Sequence, residues 1–495
     1  MLLYVTSVAL AGEITVESGG SIADALRQAR EWRRTADARC LGGITITVKA
    51  GNYYMHEPLL LRPEDSGTQD SPTIIQGEKG TTLSGDPMQT HQQLWPAEGM
   101  LPIKAFNIDE RTIAIVTPPK NVLRQIIGQQ AGLEMIVHQR WAIAILRIKE
   151  VKVLGDSTIL SFMEPESRLE FQHPWPQPVI GGERGNSSFL IRRTEQRWGK
   201  EQLVIIDGAS NIELRGLTFE NTCWNRPLTK GHVTLQGGFP LIDAYKLKEK
   251  EGLPWDSALE NQAWVERPVS AVTVRNAGRV SISDCCFRNI GSTALDFEGG
   301  VSDCTVSNSE FRHIGGTAIM AGSFAESPRE VHRPYTDLAA GCRHLTISGN
   351  TISDASCEDW GAVGIACGYV KDTKIVKNSV SHVNYSGICV GWGWTPLYTG
   401  MERNRIEGND VSDYARQLYD AGGIYTLSNQ PQSVIARNSI SKPHDAPYAT
   451  NNRAFTIYLD ARTDGFRIYD NQCEGTTIMP EQLGYNHPGN SIVFD

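Results

Sequence analysis

The chain has 495 residues, with 47 basic and 56 acidic side chains for a net charge of −9, 40% hydrophobic residues and 47 glycines. That apolar load supports a core and excludes wholesale disorder, and the spread-out acidic balance argues against a nucleic-acid groove or an anionic-membrane surface. No apolar run approaches the roughly 18 residues of a membrane helix, and ten cysteines without a CxxC pair are too few for a disulfide scaffold.

Residues 1–12 (MLLYVTSVALAG) read either as the apolar core and cleavage site of a secretion signal without its basic leader, or as a first strand. The signal reading, with the low cysteine content, fits a periplasmic or secreted protein. Residues 21–35 have a serine cap and apolar positions at Ile22, Ala25, Leu26 and Ala29, which predicts an amphipathic helix closing the N-terminal end of the fold. ITITVKAGNYY and LLLRPEDSG follow as strand and turn. Residues 84–202 are strand-rich and irregular, as in TIAIVTP and AILRIKEVKVL, and read as an inserted β-subdomain or as elaborated early coils.

After residue 210 the chain repeats. The units ELRGLTF, SISDCCF, TVSNSEF, TISGNTI, KIVKNSV, RIEGNDV, VIARNSI and RIYDNQC end at Phe219, Phe287, Phe311, Ile352, Val380, Val411, Ile440 and Cys473, and the shortest spacing is 24 residues. Six of them are followed by a second strand: STALDFEG, GTAIMAG, AVGIACG, YSGICVG, GGIYTLS or AFTIYLD. Alternating short strands, Gly/Asn/Asp turns and no 3.6-residue period exclude βαβ units and specify a right-handed parallel β-helix. Asn350, Asn378, Asn409, Asn438 and Asn471 each stand two residues before the aligned hydrophobe, which predicts a stacked amide ladder at a turn, with asparagine accommodating left-handed torsions. Residues 231–268 form a further insertion containing Tyr245, Trp255 and Trp264. The organisation is therefore an entry region over 1–83, the irregular segment 84–202, and the main solenoid over 203–495.

LEMIVHQRWA (133–142), GLTFENTCWN (216–225), YSGICVGWGW (385–394), YDAGGIYTLSNQP (419–431) and IYLD (457–460) resemble the parallel β-helix glycoside hydrolases, and glycoside hydrolase family 141 in character. The resemblance runs from about residue 20 to the C-terminus. It implies action on fucose- or xylose-containing plant or algal glycans, and it brings forward Asp460 of IYLD and Asp420 of DAGGIY. Two departures bear on the sugar: residues 172–200 diverge, and Ala461, Arg462 and Thr463 replace an acidic, Gly/Ser-rich turn.

Glycoside hydrolysis needs two carboxyl groups flanking the bond, about 5–5.5 Å apart for retention and 6.5–9.5 Å for inversion. If Leu295, Ile319, Ile365, Ile388, Ile424 and Ile457 face inward, residues one and three positions later face outward. One outer column then reads Glu298, Gly322, Gly368, Gly391, Leu427 and Asp460, a glycine-floored trough ending in an aspartate; the other puts Tyr425 and Tyr458 along it. Asp460 and Asp420 are the expected catalytic pair, the five extra residues before Ile424 folding Asp420 back over the trough. Expected substrate contacts are Trp360, Trp392, Trp394, Tyr425, Tyr458, His444 (with Asp445), Asp359 and Asp464. Asp296 and Glu298 read as a solvated surface pair.

HExxH, a P-loop, a dinucleotide GxGxxG and GxSxG are absent from the sequence. No metal or other cofactor is expected, with calcium left open on scattered carboxylates. The leading function is a glycoside hydrolase acting on an oligo- or polysaccharide. A polysaccharide lyase or epimerase using Arg453, Arg462 or Tyr458, and a non-catalytic glycan-binding solenoid, are the alternatives.

Overall fold

The computed structural model describes residues 11–85, 90–173, 176–182, 185–195, 199–249, 259–324, 329–330, 341–394, 398–446, 454–476 and 490–492, with backbone alone described for 244–249, 259–264, 329–330 and 491–492. Three parallel sheets wind along one axis. The first has twelve strands from Gly12–Val16 to Ser491–Ile492, the second nine from Leu59–Leu61 to Ala454–Leu459, and the third ten from Gly51–Tyr54 to Gln472–Cys473. This is the right-handed parallel β-helix expected from the repeat. Most of residues 1–12, including the alternative signal or strand reading, lies outside the described residues.

Register follows the hydrophobic columns. Leu295 pairs with Ile319, and the column continues through Ile365, Ile388, Ile424 and Ile457. A strand side-chain period of two makes any one-residue slip put this column on the wrong face, so the column locks the stack. In the third sheet Phe219, Phe287 and Phe311 stack with ring centroids 4.8 and 4.6 Å apart. That matches the spacing of hydrogen-bonded strands, roughly 4.7–4.9 Å.

The amide ladder is present. Asn350, Asn378, Asn409 and Asn438 each donate Nδ2 to the Oδ1 of the next asparagine at 2.9–3.0 Å, ending at Asn471. The left-handed torsions fall one residue earlier than expected, at Gly349, Lys377, Gly408, Arg437 and Asp470. The preceding residue turns the chain, and the asparagine itself is free to point inward.

Helix Ile22–Arg34 is capped by the Ser21 side chain and buries Ile22, Ala25, Leu26, Ala29 and Trp32 against the first coils. Between Thr81–Ser84 and Val204–Asp207 the chain leaves the solenoid to form an antiparallel sheet from His91–Trp95 to Ser188–Thr194. The segment is thus an insertion and not a set of elaborated coils. Its strand Ile143–Leu154 pairs with His232–Val233, tying the two insertions together.

Candidate active site

Asp420 is the last residue before strand Ala421–Thr426 and has φ +63, a conformation aspartate tolerates better than most side chains. Asp460 follows the next strand of the sheet, Ala454–Leu459, and its N–H donates to Thr426 O at 3.1 Å. Between them the strand folds tightly. A Cβ on Gly422 would lie 2.7 Å from Ile424 O and 3.0 Å from Tyr458 Cβ, and one on Gly423 would strike Ile440. The two glycines therefore leave no room for any other residue type.

A cluster of phenols joins the two aspartates. Tyr458 Oη donates to Asp420 Oδ1 at 3.0 Å, Tyr385 Oη donates to the Asp420 carbonyl at 3.0 Å, and Tyr425 Oη donates to Asp460 Oδ2. The Tyr425 and Tyr458 rings meet edge to face at 5.1 Å. Gln236 Nε2, from the second insertion, reaches both Tyr385 Oη (2.8 Å) and Tyr425 Oη (2.9 Å). Burial pushes all three phenols well above the ordinary tyrosine range, and the two carboxylates push in the same direction. The phenols thus stay protonated and act as fixed donors. From the other side, His138 Nε2 on the inserted sheet donates to Gln417 O at 2.8 Å, three residues before Asp420. Both insertions converge on this turn, and both aspartate side chains remain partly exposed.

Several expectations need correction. The outer face of the second sheet is covered: Tyr425 and Tyr458 are buried, as are Met320 and Ala366 in their column. The glycine column is no trough. Gly322 packs on Val370 and Tyr369, Gly368 on Ser323 O, and Gly391 on Leu427 O, because the missing side chains admit neighbouring backbone and not a ligand. Asp296 is fully buried and held bidentately by Arg267 at 2.5 and 2.6 Å, so it forms no solvated pair with Glu298. Trp392 is 5% exposed, its ring enclosed by Phe239, Phe324 and Trp394, which makes it core packing and not a platform for sugar.

Trp394 and Trp360 are half-buried beside that core. His444 is exposed and bonds Asp413 on the outside of the coil, and no described bond joins it to Asp420 or Asp460. Asp464 accepts from Gly465 N at 2.8 Å and so shapes the turn after Asp460. Asp359 is buried elsewhere: Oδ1 accepts from Gly361 N at 3.1 Å and Oδ2 meets His232 Nε2 at 2.8 Å. Burial lowers the His232 pKa against the pull of Asp359, so the ring is neutral, donates from Nε2 and leaves a lone pair on Nδ1. Sequence reading missed His232, Gln236 and His138. All three lie on insertions, where no repeat register says which way a side chain points.

Residues 90–199 match the GH141 insertion domain, and residues 338–494 match the right-handed beta helix region. A solved structure described as a glycoside hydrolase is 32% identical to this chain, covering 97% of it and 96% of its own length, with a TM-score of 0.87. Two others are a GH136 lacto-N-biosidase from Eubacterium ramulus (10% identity, 97% of this chain and 67% of that one, TM-score 0.41) and an alginate lyase from Paenibacillus sp. (11%, 97% and 97%, 0.39). A comparison with curated proteins gives no match. The fold and the full-length likeness define a parallel β-helix glycoside hydrolase. The chain belongs to the glycoside hydrolases, and its inserted sheet matches the insertion domain of family 141.

Proposed function

We propose that the enzyme cleaves fucosyl or xylosyl linkages of a plant or algal cell-wall glycan, with Asp420 and Asp460 as its two carboxyl groups. One protonates the departing glycosidic oxygen, and the other activates water or attacks the sugar. The observation that supports this reading is the shared phenol cluster. Two partly exposed carboxylates on neighbouring strands are each held by a tyrosine of the other strand. Fixing both groups before substrate arrives removes a reorganisation cost from the reaction. Burial of Tyr458 weighs against this residue as a lyase base, because a phenol driven far above its usual range is a poor base at neutral pH.

The test is release of reducing sugar from fucosylated xyloglucan oligosaccharides, xylan and a panel of nitrophenyl glycosides. Asp420→Asn and Asp460→Asn should each lower kcat by roughly 10²–10⁴-fold with an unchanged melting temperature. Near-normal turnover by either variant, or ultraviolet-absorbing unsaturated ends in the product, would overturn the proposal.

A further inference from the structure

A cavity of about 300 Å³ lies between the second insertion and the coils on the N-terminal side of the aspartates. Its floor comes from the starts of second-sheet strands, at Thr293, Thr317 and Ala362. Asp420 holds the same strand-start position two to four strands further along the sheet, roughly 10–20 Å away at about 4.8 Å per strand. The segment carrying Gln236, which ties Tyr385 to Tyr425, continues directly into Gly237 and Gly238 of the cavity wall.

Four residues lining this cavity keep a polar atom that has no hydrogen-bond partner among the described residues and almost no accessible surface of its own, so that meeting a ligand takes a turn of the side chain: Asn225 Oδ1, Arg226 Nε, His232 Nδ1 and Thr293 Oγ1. Such atoms are costly in a folded protein unless something else meets them. Their chemistry is mixed. Asn225 Oδ1 and neutral His232 Nδ1 accept, Arg226 Nε donates, and Thr293 Oγ1 does either. A carboxylate or a fully ionised phosphate group offers acceptors only and, placed among these atoms, would set its lone pairs against two of the four. The lining cations are also committed: Arg226 and Lys230 face Glu266, and Arg267 holds Asp296. A sugar hydroxyl both donates and accepts, so it suits the whole set.

We infer that this cavity is a glycan subsite for a neutral glycosyl residue, not for a uronate or a phosphate. The size agrees, since small-ligand sites start at about 300 Å³. The inference rests on the chain being a glycoside hydrolase and not on the roles of Asp420 and Asp460.

Calorimetric titration of the Asp460→Asn protein with xylohexaose, a fucosylated xyloglucan oligosaccharide and hexagalacturonate tests it, repeated with Thr293→Val added. At least one neutral oligosaccharide should bind and hexagalacturonate should not. Thr293→Val should weaken the neutral ligand about tenfold, the size of one lost hydrogen bond. Its melting temperature should stay or rise, because the hydroxyl it removes has no described protein partner. Asn225→Ala provides a second variant and should weaken binding similarly. Neutral affinity unmoved by both variants, a preference for hexagalacturonate, or no binding of either neutral probe would overturn the inference. Reducing sugar measured in the same samples separates the two readings. Near-normal turnover by Asp460→Asn would count against the aspartate assignment, and affinity untouched by Thr293→Val and Asn225→Ala would count against the subsite.

Discussion

Two buried polar arrays in this solenoid are built differently. In the asparagine ladder every inner amide is satisfied. Asn409 Oδ1 accepts from both the backbone N–H and Nδ2 of Asn378, while its own Nδ2 donates to Ile375 O and Asn438 Oδ1, all at 2.9–3.0 Å. Around His232 the polar groups come from residues 224–232, 292–293 and 359, and four atoms are left over. Stacking identical positions of a repeat brings each donor to an acceptor automatically. Bringing remote segments together does not, and what is left over points to a ligand. The aspartate pair lies between these extremes, set on strand ends by the repeat and held by phenols that Gln236 ties together.

The contrast can be broken most strongly at the ladder. Asn409→Ala takes one bond from each of four groups in a dry core and should cost about 3 kcal/mol by denaturant unfolding. Asn471→Ala, at the partly exposed end of the ladder, should cost about 1 kcal/mol. Equal costs at the two positions would deny the ladder its cooperative role.

The join between insertion and solenoid comes next. Burial lowers the His138 pKa to about 4, against about 6.5 unfolded. The unfolded chain therefore takes up this proton first as pH falls, and the stability present above pH 6.5 is lost toward pH 4. Between pH 7 and pH 5 the wild type should lose about 2 kcal/mol more than His138→Gln. Parallel stability curves for the two proteins would contradict the burial of a neutral His138.

The smallest effect is expected at the phenols. Tyr458→Phe removes one donor from Asp420 and should lower kcat about tenfold with the fold intact. A change in KM alone would recast the cluster as binding apparatus.

How much was legible follows the same division. Phe219, Phe287 and Phe311 and the five asparagines announced the coil, because equivalent positions recur and face the same way. Asp420 and Asp460 were readable since they bracket strands of that repeat. His232 and Gln236 were not, because their partners Asp359 and Tyr425 lie 127 and 189 residues away. The glycine column misled for a related reason: Gly368 and Gly391 alternate as surface positions should, yet the turns of adjoining coils fold onto them. Alternation tells which side of the strand a residue takes, while the turns and inserted segments folded over the sheet determine whether that side meets water.

Joint action of Asp420 and Asp460 on one bond is tested most directly by kcat of the Asp420→Asn/Asp460→Asn double variant beside the two single ones. Groups serving a single reaction should give a double variant scarcely slower than the worse single. Losses that multiply in full, or a single variant that turns over like wild type, would contradict joint action.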